Sequence, residues 1–119
     1  MARHGIGYVG ASFPPGMVAP SFDAARAAWK EAGRDGQPKL TAIAYFAFDD
    51  YATGRANVYD YYSVAGDQIA GMVADNTSFG ADRVRETLKA FEEIGADELI
   101  FNATVPDLDQ ITKLAEVVL

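Results

Sequence analysis

Leu40-Thr41-Ala42-Ile43-Ala44-Tyr45-Phe46-Ala47-Phe48 is the stretch on which the fold turns. It is nearly continuous in apolar residues and does not alternate cleanly. A strand buried on both faces has that pattern, as in a parallel sheet with helices on each side. Periodicity alone would also allow a helix. The β-branched and aromatic content favours a strand, and Asp49-Asp50 ends the run.

Working outward, Ile6 to Gly10 is short, apolar and broken by glycine, which suits a strand with close backbone packing. Phe13-Pro14-Pro15-Gly16 predicts a loop, with Ser21 as the N-cap of the helix that follows. Phe22, Ala25, Trp29 and Ala32 then recur at helical spacing, and Gly33 supplies the stop. Arg34 to Pro38 is a polar turn. Beyond the apolar run, Arg55 to Tyr62 and Gln68 to Ala74 are expected to be helical, with a break at Ser63 to Gly66. Asp75 to Ser78 is expected to be a loop with capping chemistry. The clearest helix runs from about Ala81 to Ile94, with Val84, Leu88, Phe91 and Ile94 on one stripe. Glu98 to Asn102 is a short apolar strand. Pro106-Asp107 introduces a last helix with Leu108, Ile111, Leu114, Ala115 and Val118 on one face. Strands alternating with helices imply βα units, a parallel sheet and an α/β class.

The chain has 119 residues, enough for one domain spanning 1–119. Half of its residues are hydrophobic, so it should fold. A net charge of −7 with ten scattered Lys and Arg argues against nucleic acid, which calls for a basic patch. No run approaches the roughly 20 apolar residues of a membrane helix, and no secretory signal opens the chain. A soluble, cytoplasmic protein is the expectation. The lack of cysteine excludes disulfides, thiol catalysis and thiolate metal sites.

Three stretches carry a resemblance. They are Ala25 to Asp35 with Pro38-Lys39-Leu40, then Ala44 to Phe48, then Val84-Arg85-Glu86 through Phe91 to Phe101 ending in Asp107-Leu108-Asp109-Gln110. In that order they resemble the carboxy-terminal part of luciferase-like monooxygenases. That family includes bacterial luciferase, alkane and sulfonate oxygenases, and deazaflavin-dependent dehydrogenases. The resemblance implies α/β architecture corresponding to the last part of a (β/α)8 TIM-type barrel, incomplete as a single chain. It also implies an oxidoreductase or monooxygenase that uses FMN or a deazaflavin on a small-molecule substrate. Three strands cannot close a barrel and leave two unpaired edges. A homo-oligomer, or a missing barrel half on another segment, would then complete the sheet. The competing reading is a non-catalytic, self-associating module or accessory subunit that binds no flavin.

No motif assigns a catalytic residue. His4, the only histidine, is better read as a surface or edge residue than as a general base. Asp49-Asp50 suits a solvated turn better than a metal site, and no metal is expected. Gly5 to Gly10 lacks the helix that a dinucleotide fingerprint requires, so close strand packing explains its glycines better. Tyr59, Tyr61 and Tyr62 could stack on a flavin ring, but at helical spacing they suit packing or an interface better, as does Trp29. The barrel rule places ligands at the carboxyl ends of the strands. By position, Gly10, Ser12, Asn102 and Thr104 are therefore the candidate cofactor-binding residues.

Overall fold

The computed structural model describes residues 5–10 and 12–119. Its elements run β1 (Gly7–Val9), α1 (Pro15–Glu31), β2 (Lys39–Ala47), α2 (Tyr51–Tyr62), a 3-10 turn at Ser63–Ala65, α3 (Asp67–Asp75), β3 (Ser78–Phe79), α4 (Ala81–Glu93), β4 (Glu98–Ala103) and α5 (Asp109–Val118). This is an α/β fold with one wholly parallel sheet. The expected alternation of strands and helices holds, and one short strand is added to it.

β2 is the axis of the sheet. β4 pairs with it from Thr41↔Glu98 to Phe46↔Ala103. On the other edge, β1 pairs with residues 39–41 and the two-residue β3 with residues 46–47. The carbonyls sort accordingly. Leu40 and Phe46 accept from Asp97 and Thr104 on the β4 side, while Thr41 and Ala47 accept from Gly10 and Gly80 on the other. Three parallel strands therefore stand in the order β1, β2, β4, with β3 beside the upper end of β2. β3 falls where the sequence predicted a loop. Two ladder positions are too few to leave a pattern in the sequence.

Side chains alternate across a strand. Leu40, Ala42 and Ala44 of β2 turn toward α1 and α4, where they join Val18, Phe22, Ala25 and Phe91 in the main core. Each large side chain buried there contributes about 1.5–3 kcal/mol relative to exposure. Tyr45, on the opposite face, packs with α2 and α3 around Val58, Val73 and Ala74. Both faces of β2 are therefore covered near its carboxyl end, as its unbroken apolar run predicted.

α1 corrects the sequence reading. The helix begins at Pro15, not after Ser21, and Pro20 lies inside it. A proline at the first helical position loses no bond, because that N–H has no partner within the helix. The Pro14 carbonyl instead takes the N–H groups of Met17 and Val18. Pro20 and Gly16, whose carbonyl Pro20 cannot bond, both lie on the exposed side. Val18, Phe22, Ala25 and Trp29 form the buried stripe. Gly33 closes the helix as expected. Its φ is 73°, and its N–H reaches Lys30 while that of Arg34 reaches Trp29.

α2 starts four residues before the expected Arg55, at Tyr51. α5 departs most from expectation. Its apolar face is uncovered at the start, where Leu108 just before it is 87% exposed and Ile111 53%, and half-buried at Leu114, Ala115 and Val118. Its one buried residue is Gln110. The radius of gyration is 15.5 Å, above the roughly 13.5 Å expected for a compact domain of this length. No helix of the described residues is long and apolar enough to cross a membrane.

Candidate functional site

The carboxyl ends of β2 and β4 open under α2 into a cleft of about 240 Å³. Tyr45 and the Ala103–Thr104 turn form its floor, and Asn57, Val58, Tyr61 and Tyr62 of α2 form its wall. The Tyr45 and Tyr62 hydroxyls lie 3.1 Å apart, and their rings meet edge to face with centroids 6.0 Å apart. Tyr61 continues the set, 5.2 Å from Tyr62 at 74°. Burial, then the hydrogen bond with Tyr62, pushes the Tyr45 phenol up to about 12. Its proton is held through the neutral range.

Close packing holds α2 over the strand ends. Gly54 lies against Thr104 so tightly that a Cβ there would sit 2.5 Å from the threonine hydroxyl. Asn57 donates to the Thr104 carbonyl at 2.9 Å. Thr104 in turn donates its hydroxyl to the Phe46 carbonyl at 3.2 Å. These three contacts set the width of the cleft.

The positional candidates are not brought together evenly. Ser12 is buried with its hydroxyl against the Tyr45 phenol. Thr104 lines the cleft, but its hydroxyl proton is engaged by Phe46. Asn102 is exposed on the face of β4 that pairs beside Tyr45. Gly10 is buried below this level, its N–H on Thr41 and its α-carbon against Val18. A Cβ at Gly7 would collide with the Lys39 backbone. Both glycines thus allow close approach. His4 lies outside the described residues.

Of the tyrosines, Tyr61 and Tyr62 line the cleft, while Tyr59 packs against the α2–α3 core and donates to Asp67. Trp29 is buried, donates to the Asp35 carbonyl and lies under the Arg34 guanidinium. The sequence reading weighed three tyrosines at helical spacing as one group and passed over Tyr45, hidden in the apolar run. The signal that could have found it is its position two residues before the strand's end.

Asp49 is paired within the chain. It accepts from Gln110 at 3.1 Å and from Lys113 at 2.6 Å. The Lys113 ammonium, with Gln110, holds its carboxyl below the usual range. Gln110 also accepts the Phe48 N–H at 2.7 Å. Gln110 and Lys113 therefore tie α5 to the end of β2. Among the described residues, no three His, Cys, Asp or Glu converge as metal ligands would.

No protein-family model matches the sequence, and no curated protein matches it. Solved structures share the fold. One is an F420-dependent secondary alcohol dehydrogenase in complex with an F420-acetone adduct, with a TM-score of 0.70 at 15% identity. The likeness covers 98% of this chain and 43% of that one. This chain therefore spans under half the length of the protein it resembles, and the likeness is one of fold.

Proposed function

We propose that the chain is the carboxy-terminal segment of a luciferase-like barrel oxidoreductase that works with a deazaflavin on a small organic substrate. The observation that carries this is a ring-lined cleft at the carboxyl ends of parallel strands. It occurs in a fold shared with an F420-dependent dehydrogenase, and barrel enzymes place their ligands at that end. FMN, with monooxygenase chemistry, is the other cofactor of such enzymes. The solved neighbour favours the deazaflavin.

A deazaflavin, when bound, supplies the ring that carries a hydride. This chain's part is to orient and to exclude water. The donors at the rim suit the uncharged edge of a ring with oxygen acceptors. Ser12 and Asn102 stand beside Tyr45, and the Tyr45 phenol keeps its proton at neutral pH. A phosphate tail finds no Lys or Arg among the cleft's lining residues and would be held by parts of the barrel that this segment lacks. Thr104 serves as packing that shapes the rim, and Gly10 packs below it.

The second reading, a self-associating module without cofactor, draws on one observation. The outer edge of β4 and the start of α5's apolar face, at Leu108 and Ile111, are uncovered. Titration of the purified chain with F420 and FMN, followed by cofactor fluorescence and light scattering, separates the two. Saturable binding of F420 by a monodisperse species is expected. A well-folded chain that associates and binds neither cofactor at millimolar concentration would leave only the module.

A further inference from the structure

We propose that the Tyr45–Tyr61–Tyr62 cleft is a subsite for a small uncharged molecule of one or two fused rings that bears an oxygen acceptor. Calling that molecule the substrate, as distinct from the cofactor, rests on the function proposed above. Its binding in the cleft does not.

The chemistry of the walls selects the class. Three tyrosine rings meet at right-angled contacts, Tyr45 on Tyr62 and Tyr62 on Tyr61. They leave ring faces and edges turned into one space, the arrangement that aromatic guests prefer. Val58 adds an apolar patch. No charged side chain lines the cleft, so an anion would lose its water there without a partner.

Counting protons places the acceptor. One of the two phenols donates to the other across 3.1 Å, and the buried Ser12 hydroxyl stands beside Tyr45. Whichever way that bond points, one tyrosine O–H lies outside it. Asn57 uses one amide hydrogen on Thr104 and keeps its carbonyl oxygen and second hydrogen free of that bond. A hydroxyl or carbonyl on the guest is met by a neutral donor and an amide, not by a cation.

The volume accommodates such a guest. A cavity of about 150 Å³ accepts benzene, and this cleft of about 240 Å³ has room for a second fused ring.

The test uses 2-naphthol as the probe, with 2-naphthyl phosphate as its charged counterpart, by calorimetry and ligand-detected NMR on the 119-residue chain. Expected is saturable, single-site binding of 2-naphthol, with the phosphate at least about tenfold weaker. Tyr61 is largely exposed, so Tyr61→Ala should fold and weaken 2-naphthol about fivefold through the lost ring contact. The double variant Tyr45→Phe with Tyr62→Phe keeps both rings, removes both hydroxyls and should weaken it about three- to tenfold. Equal affinity for the phosphate, wild-type affinity in both variants, or no saturation by a chain with native circular dichroism would each overturn the proposal. F420 is titrated in parallel. Tyrosine-dependent 2-naphthol binding without F420 binding keeps the subsite and removes the cofactor reading. F420 binding without 2-naphthol binding does the reverse. Mutual exclusion of the two would give the cleft to the cofactor and overturn the assignment to a substrate.

Discussion

β2 and β4 run side by side in register for six residues, and each was recognisable as an apolar strand, yet they live in different surroundings. β2 has a neighbour on each edge and helices over both faces. Ala42, Phe46 and Ala47 are fully buried. β4 pairs only through its inner edge. Its Leu99 and Phe101 reach the helix side, while Glu98, Ile100, Asn102 and Ala103 are exposed. Residue type makes a strand possible, but neighbours decide whether it becomes core. β4 has the composition of an interior strand and the position of an edge, which is how a piece of a larger sheet would look.

The largest expected effect lies on β2. Phe46 is fully buried, and its ring meets Phe48 and Phe101 edge to face at 5.7 and 5.9 Å. Phe46→Ala should cost about 3–5 kcal/mol by urea unfolding. A loss under about 1 kcal/mol would show that the centre of the sheet is no better packed than its edge, and the contrast between the strands would fail.

The next effect sits where α5 meets β2. Gln110 is 1% exposed and satisfies the Phe48 N–H and the Asp49 carboxylate together. Gln110→Ala leaves a buried N–H without a partner, so a loss of about 1–3 kcal/mol is expected. Lys113 still holds Asp49 in the variant, which confines the deficit to the amide's own bonds. Wild-type stability would mean that the apolar face of α5 attaches the helix and the polar anchor is incidental.

Much of this was legible in the sequence, for reasons that differ by region. The Leu40–Phe48 run announced its own burial because both of its faces needed apolar residues. The α4 stripe and the Gly33 and Gly95 stops are local, and local signals survive without tertiary context. Gly95 closes α4 as Gly33 closes α1, with φ of 90°. The start of α1 was misread because Pro14-Pro15 breaks a helix in its middle but begins one at its first turn. Asp107 to Gln110 stood out as a signature, but its role depends on a partner 61 residues away. The cleft was the least legible part. It needs Tyr45 from a strand to meet Tyr62 from a helix, and no spacing rule joins them.

The smallest expected effect is the most informative about what surrounds the chain. Ile100 lies on the face of β4 turned away from α1 and α4, paired with Ile43, and is 41% exposed. Val9, on the same face of β1, is 56% exposed. In the isolated chain Ile100→Thr keeps a β-branched residue in a strand and should change stability by no more than about 0.5 kcal/mol. If another stretch of polypeptide completes the sheet, this face becomes interior, and the same change should cost about 1–3 kcal/mol in the assembled protein. Sedimentation with unfolding, run on the 119-residue chain alone and at rising concentration, reads both quantities. A near-zero cost in a monomer that stays monomeric means the face awaits a partner other than a second copy. A cost that grows with concentration, together with a weaker dimer, means two copies cover it. A full cost in the dilute monomer would mean that β4 is already core and that the difference between the two strands is smaller than their exposure suggests.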